Sequence, residues 1–373
     1  MPSFVDSNAL KISIIGAAGG IGQAMCLLLK AQLHTLIPND ANSDPKEMNM
    51  HIHMALYDVN NDAVRGVATD LSHIDTPVTL SSHSPNDAEG LRDCLIDTDL
   101  IVVPAGFPRK PGMTRDDLFI KNAEIISGLA DNIAAYCDMS KIFILLISNP
   151  VNSLIPLMGQ RLVHHHPSSD IERRIMGVTK LDIVRASTFL HQLSITDGIE
   201  KRTNNMPEIP VIGGHSGDTI IPLFSRAKIY PKLSRAQIKY LIHRVQTGGD
   251  EVVKAKNGQG SATLSMALAA HKVVMKFSSL LLGLRKSIHG IYYVSLWSHS
   301  KNQPICSDSN ILIPLIDGCK YFAIPVYINK QGTYAIEYQI IEKMADFERS
   351  SLLPNSISKI KANIETGLAY SRQ

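Results

Sequence analysis

The feature that most narrows the fold of this chain is a glycine-rich heptad, Gly16-Ala17-Ala18-Gly19-Gly20-Ile21-Gly22. It lies between an apolar run at 11–15 and a helix-periodic run at 21–31. Glycines permit a tight turn and let the backbone approach a pyrophosphate, and the unpaired N–H groups of a helix N-terminus then face that anion. Glycine-rich turns are common, so the strand-before, helix-after placement is what gives this one meaning. Gly16, Gly19, Gly20, Ile21 and Gly22 are therefore candidate contacts for a dinucleotide. Asp58 closes the next β-type run, at 53–57. An acid there accepts hydrogen bonds from an adenosine ribose and repels a 2′-phosphate, which favours NAD over NADP. The competing reading is an ordinary turn aspartate. Asp58 lies farther from Gly16 than the usual spacing of about 20, and a polar, turn-rich insertion at 35–50 accounts for the excess.

Further β-type runs at 100–103 and 142–147 alternate with helical patterns at 64–71, 117–136 and 153–163. That alternation is the signature of βαβ units, and the unbroken apolar character of the runs suits strands buried on both faces. The expectation is α/β: a Rossmann-type doubly wound parallel sheet. From about Gly177 the pattern changes. Helices are expected at 181–193, at 234–256 (interrupted at Gly248-Gly249) and at 261–282, with a glycine-rich connection at 210–217. Paired β-type runs at 291–296 and 321–328 precede a helical C-terminus broken near Pro354. This reads as a dinucleotide-binding domain over 1–177 followed by an α+β catalytic, substrate-binding domain over 178–373.

Composition excludes more than it suggests. Hydrophobic residues make up 45% and charged residues 19%, and the formal charge of +3 forms no basic stripe, so no nucleic-acid partner is expected. No apolar run reaches the ~20 residues that span a bilayer, so no membrane is expected either. Five cysteines without a CxxC spacing fit reduced thiols, in the main buried small hydrophobes. The first eight residues carry an acid and no base, and Ser371-Arg372-Gln373 lacks the final leucine of a peroxisomal address. Cytoplasm is the expected compartment. The triplet His164-His165-His166 sits in a polar stretch, 164–170. Adjacent positions diverge, so a solvated loop is expected there and no metal site.

Four segments carry chemistry. A Pro/Gly loop, Ala105-Gly106-Phe107-Pro108-Arg109-Lys110-Pro111-Gly112-Met113-Thr114-Arg115, places two arginines six positions apart. Ile147-Ser148-Asn149-Pro150-Val151-Asn152 ends a β-type run. Asp182 and Arg185 share one face of a helix at i, i+3. His215 stands among glycines in Gly213-Gly214-His215-Ser216-Gly217. Each alone has an ordinary explanation: solvated charges, a surface ion pair, a structural histidine. Taken together and in order, they resemble the malate dehydrogenase branch of the lactate/malate dehydrogenase family. The likeness runs from Lys11 to about Leu282 and includes Asp70-Leu71-Ser72-His73 and Gly260-Ser261-Ala262-Thr263-Leu264-Ser265-Met266. Fungal cytosolic and peroxisomal members are the most similar.

The resemblance implies a role for each residue. His215 would be the general acid/base, with Asp182 holding its other ring nitrogen and so fixing its tautomer. Arg185 would clamp the C1 carboxylate, a task that suits a planar guanidinium. Arg115 would polarise the reacting carbonyl, and Arg109 would bind the second carboxylate and so select a dicarboxylate. Asn149, set by a cis bond to Pro150, would position the substrate oxygen. Asn122, Ile147, Asn149 and Met266 would join the glycine loop in lining the cofactor site. The implied activity is reversible oxidation of (S)-malate to oxaloacetate with NAD, the implied assembly a homodimer, and no metal is implied. The loop at 108–112 suits a lid that closes over substrate. An NAD-using glycosidase is the rival of another reaction class. Ser148 stands where its metal-binding cysteine would be.

Overall fold

The computed structural model of the protein describes residues 9–37, 50–107, 115–199 and 206–372. Six strands form the parallel half of one sheet: β1 (Ala9–Ile15), β2 (His51–Tyr57), β3 (Thr79–His83), β4 (Leu100–Val103), β5 (Phe143–Leu146) and β6 (Ile175–Gly177). Their spatial order is β3-β2-β1-β4-β5-β6, the doubly wound order with its switch point between β1 and β4. Every residue of β4 and β5 is buried, which is why those stretches read as unbroken apolar runs. Helices α1 (Gly20–Gln32), α2 (Asn61–Ser72), α3 (Gly90–Leu95), α4 (Arg115–Tyr136) and α5 (Val151–His165) occupy the connections. The register pairs Ile14 with Val102 and Val103 with Leu146. The C-terminal ends of β1, β4 and β5 therefore come level, and the loops that follow them share one edge of the sheet.

After β6 come α6 (Lys180–Thr196), β7 (Val211–Gly213), β8 (Ile220–Pro222), α7 (Arg235–Ala255), α8 (Leu264–Leu281) and β9 (Ile288–Ser295). A short hairpin, β10 (Trp297–Ser298) with β11 (Gln303–Pro304), leads to α9 (Ser307–Leu315). The chain ends in β12 (Tyr321–Asn329), β13 (Gly332–Ile336), α10 (Gln339–Glu342) and α11 (Leu353–Ser371). Strand β9 joins β6 antiparallel at Tyr293–Gly177, and β12 pairs along the whole of β9. The second half thus continues the same sheet, with its direction reversed. A second, smaller apolar core lies between α6 and α7, built from Ile183, Ala186, Leu190, Leu241 and Val245 among others.

Four expectations change or sharpen. Gly248-Gly249 does not interrupt a helix, because α7 runs unbroken through both. The expected break near Pro354 takes the form of a π-helical segment, Glu348–Leu352, that leads straight into α11, with Pro354 in the first turn of α11. The 210–217 connection contains β7, a strand too short to show a period. The histidine triplet is not wholly a loop. His164 and His165 finish α5, His165 lies 2.9 Å from Asp131, and the His166 ring meets the Ala134 carbonyl.

The 301–317 stretch holds β11 and α9, while residues 38–49 of the polar insertion lie outside the described residues. Helix α8 has the length and apolarity of a spanning segment, and more than half of it is buried in the fold as a core helix. All five cysteines are unpaired, and burial pushes the Cys26, Cys94 and Cys137 thiols up to about 12.

Candidate active site

The glycine loop is fixed by backbone geometry. Gly16 has φ +98°, and a Cβ there would stand 2.6 Å from the backbone of Ala105, which follows β4. A Cβ on Gly22 would stand 2.2 Å from the Gly16 carbonyl, so α1 can start this close to β1 only with glycine at that position. The N-cap is Gly19, with no side chain capping the helix. Its first turn therefore presents free N–H groups at a surface where Gly19 and Gly20 are exposed. A bare, uncapped helix N-terminus beside two glycine-enforced close approaches is a cradle that fits a dinucleotide pyrophosphate.

Asp58 lies beside this loop. Its Oδ2 accepts the Ala18 N–H at 2.9 Å and its Oδ1 accepts the Asn60 N–H at 3.1 Å, which fixes the carboxylate at the rim of the cradle. Thr263 closes the other side, its Cγ2 3.0 Å from where a Gly20 Cβ would be, and so brings the segment leading to Met266 alongside α1. Met266 itself is buried on α8, and Ile147 is buried at the end of β5.

Asn122, on α4, is nearly fully buried, and its amide bridges two loops. Its Oδ1 accepts the Phe107 N–H at 2.6 Å, and its Nδ2 donates to the Asn149 carbonyl at 2.7 Å. It thereby ties the root of the loop after β4 to the loop after β5. The Asn149–Pro150 peptide is cis, as expected, and the Asn149 side chain is exposed. Arg109 lies outside the described residues. Arg115 is the first residue of α4, and the course of its side chain is likewise outside them.

The remaining residues converge. Asp182 and Arg185 occupy the first two turns of α6, and Asp182 is fully buried. His215 follows β7, and its Nδ1 is 2.5 Å from Asp182 Oδ2. The second oxygen, Asp182 Oδ1, is buried without a hydrogen-bond partner among the described residues and lies 3.8 Å from Arg185 Nη1. Burial lowers the Arg185 pKa from its ordinary value, while Asp182, Glu251 and Asp250 pull the other way. The result is a buried imidazole–carboxylate pair with a cation beside it.

Two residues in this region carried no role from the sequence. Asn152 has its Oδ1 on the His215 N–H at 2.8 Å and is almost completely buried. Gly248, on α7, faces Arg185, and a Cβ there would be 3.1 Å from Arg185 Cδ. Asn152 stands beside the polar Ser153 at the start of α5, so its residue type alone did not mark it. Nor did the sequence mark Gly248, because its neighbour comes from another helix.

The comparisons agree with this geometry. The lactate/malate dehydrogenase NAD binding domain matches residues 10–207, and the alpha/beta C-terminal domain of the same family matches residues 179–371. The cytoplasmic malate dehydrogenase of Saccharomyces cerevisiae is 56% identical over 98% of this chain and 96% of its own length. The mitochondrial malate dehydrogenase of the same yeast is 39% identical over 98% of this chain and 95% of its own length. Among solved structures, the malate dehydrogenase of Picrophilus torridus superimposes with a TM-score of 0.69 at 23% identity, covering 97% of this chain and 98% of that one, a likeness of fold. With both domain families matched in order along its length, the chain belongs to the lactate/malate dehydrogenase family.

Proposed function

We propose that the protein is an NAD-dependent malate dehydrogenase that interconverts (S)-malate and oxaloacetate. The observation that carries this is the buried His215–Asp182 pair with Arg185 beside it, in a chain 56% identical to a malate dehydrogenase over nearly its whole length. NAD, when bound, would supply the hydride acceptor for malate oxidation and, as NADH, the donor for oxaloacetate reduction. Gly16, Gly19, Gly20, Ile21 and Gly22 hold its pyrophosphate, and Asp58 holds its ribose. Asn122, Ile147, Asn149 and Met266 complete the cofactor wall.

The protein supplies the proton and the electrostatics. With Nδ1 committed to Asp182, the other ring nitrogen of His215 is left to exchange a proton with the substrate C2 oxygen, and the carboxylate stabilises the imidazolium that forms. Arg185 receives the C1 carboxylate. It lies largely out of water, where a charge-assisted bidentate pair is strong. Arg115 polarises the C2 carbonyl, Arg109 receives the C4 carboxylate, and Asn149 orients the reacting oxygen. Pro108, Pro111 and Gly112, which lie outside the described residues, suit a loop that would close over the substrate and exclude water.

The proposed division between the two units is at residues 177 and 178, and the antiparallel pairing of Gly177 in β6 with Tyr293 in β9 supports it. The protein acts as a cytoplasmic homodimer. Greater identity to the cytoplasmic than to the mitochondrial yeast enzyme supports the compartment. The apolar side chains of α6 and α7 are largely spent on the second core. Support for association comes instead from α1 and α8, which leave Leu27, Leu264 and Leu268 exposed. Sedimentation at micromolar concentration showing only monomer refutes the dimer. The activity is tested by NADH oxidation with oxaloacetate against pyruvate, phenylpyruvate and NADPH. A preference for pyruvate or for NADPH overturns it.

A further inference from the structure

The loop that carries His215 is short of regular structure of its own. It leaves β7 at Gly213, which has φ +99°, and ends in the capping box of Ser216 and Thr219. What holds it is a set of contacts from elsewhere in the sequence, and they converge on Asn152. This side chain is 1% exposed. Its Oδ1 accepts the His215 N–H at 2.8 Å, so its Nδ2 points away from that bond. There Nδ2 stands 3.1 Å from Asn363 Oδ1 and 3.2 Å from the hydroxyl oxygens of both Ser216 and Thr219. The Asn152 carbonyl accepts the hydroxyl of Tyr293, itself fully buried. Gly214 completes the packing, since a Cβ there would be 2.7 Å from Asn152 Nδ2.

Asn363 belongs to α11, the C-terminal helix, and that helix touches the same loop twice more. Ser356 donates to the Thr219 carbonyl at 2.8 Å, and Lys359 pairs with Asp218. Helix α11 lies directly on the start of α5, where a Cβ at Gly367 would be 2.0 Å from the Ser153 carbonyl. Three elements distant in sequence, α5, the His215 loop and α11, therefore meet through one buried amide. An amide is the side chain that suits this junction, because it accepts from a backbone N–H on one side and donates to an oxygen on the other. With Nδ1 of His215 fixed by Asp182 and its backbone N–H fixed by Asn152, the residue is held at both backbone and ring.

We propose that Asn152 is a positioning residue for His215, and that Asn363 on the C-terminal helix positions Asn152 in turn. The proposal rests on His215 being the proton donor. Removing the amide leaves His215 paired with Asp182 but lets its backbone shift. Misplacement of a reacting group by about 1 Å costs up to a hundredfold in rate.

The test compares full-length Asn152→Ala, Asn152→Asp, Asn363→Ala and His215→Ala. The readouts are thermal melting, NADH affinity by fluorescence titration, kcat and KM for oxaloacetate, and the solvent deuterium isotope effect on kcat. The expected result is folded variants with unchanged NADH affinity. Asn152→Ala loses about tenfold in kcat with little change in KM, and Asn363→Ala loses about threefold. Both show a larger solvent isotope effect, because proton delivery has become slower. Asn152→Asp, which keeps an acceptor for the His215 N–H but loses the donor to Asn363, recovers part of the Asn152→Ala loss and does not exceed Asn363→Ala in kcat. If Asn152→Ala does not fold, Asn363→Ala carries the test by itself. Wild-type kcat and isotope effect in the folded alanine variants, with His215→Ala inactive, overturn the proposal and leave the role of His215 standing. An active His215→Ala overturns that role itself.

Discussion

Gly248 and Arg185 face each other across two helices so closely that a side chain fits only if Arg185 gives way: a Cβ on Gly248 would lie 3.1 Å from Arg185 Cδ and 3.2 Å from Nε. Gly249, one position on, has nothing within 4 Å of its own Cβ position. The first glycine leaves space for the Arg185 guanidinium, proposed to meet the substrate carboxylate, and the second is merely helical. Gly248→Val is expected to displace Arg185 and raise the KM for oxaloacetate about tenfold or more with NADH binding unchanged. Gly249→Ala is expected to raise stability by roughly 0.5–1 kcal/mol, the ordinary gain for glycine to alanine inside a helix. Steady-state kinetics and thermal melting read these separately. Equal KM values for wild type and Gly248→Val would remove the packing argument.

Asp182 offers a sharper separation of charge from shape. Asparagine in its place preserves volume but turns an acceptor-only group into one that can donate, so the His215 ring can be held in the wrong tautomer. The imidazolium formed during malate oxidation also loses its counter-charge. Asp182→Asn should lower kcat by about 100- to 10,000-fold while NADH still binds. A loss of less than fivefold would mean that the 2.5 Å contact is structural.

Strands β1, β2, β4 and β5 of the parallel half were legible because their signals are local, whereas β3, a half-buried edge strand, carries no apolar run. Buried central strands show as unbroken apolar runs, and Gly16 and Gly22 mark a turn that only glycine fits. Strands β6, β7 and β8 have three residues each, too few to carry a period; β6 forms between the edges of β5 and β9, β7 on that of β12, and β8 on that of β7. The site divided in the same way. His215, Asp182 and Arg185 are chemically conspicuous residue types. Asn152 is inconspicuous, and its importance comes from α11, some two hundred positions away, while Gly248 reads as a helix breaker until Arg185 is placed against it.

On the proposed reading, substrate choice falls to Arg109, which lies outside the described residues. A distal carboxylate needs a cation, and a carboxylate or an arginine enclosed alone is strongly disfavoured. Arg109→Gln is expected to cut kcat/KM for oxaloacetate by about a hundredfold or more, equivalent to ~3 kcal/mol of transition-state stabilisation. Activity on pyruvate should hold or rise. An equal loss on both substrates would assign Arg109 to loop closure and not to selection.

A last expectation concerns acid stability. On the outer strands of the sheet, His53 Nδ1 is 2.9 Å from the Thr79 hydroxyl and its Nε2 is 2.9 Å from the Ser81 hydroxyl, which also meets His83 Nε2 at 2.8 Å. Burial, and then the charges of Lys11 and His83, push His53 down to about 4. Burial lowers His83 as well. Both rings are therefore neutral in the folded chain at pH values where an unfolded histidine, with its pKa near 6.5, already binds a proton. Each group contributes its stability in full above pH ~6.5. That contribution is lost as the pH falls, and for His53 the loss is complete near its folded value of about 4. The slope cannot exceed about 1.4 kcal/mol per pH unit for one group, and partial exposure makes it smaller. Asp131 and Asp138, held low by their hydrogen bonds to Arg161 and Ser140, add their own loss only in the carboxylate range. The melting temperature should therefore be flat between pH 8 and 7 and decline from about 6.5 downward. His53→Gln, which can still bond the Thr79 and Ser81 hydroxyls, should flatten that decline between pH 6.5 and 4.5. Parallel curves for variant and wild type would show that His53 does not carry it.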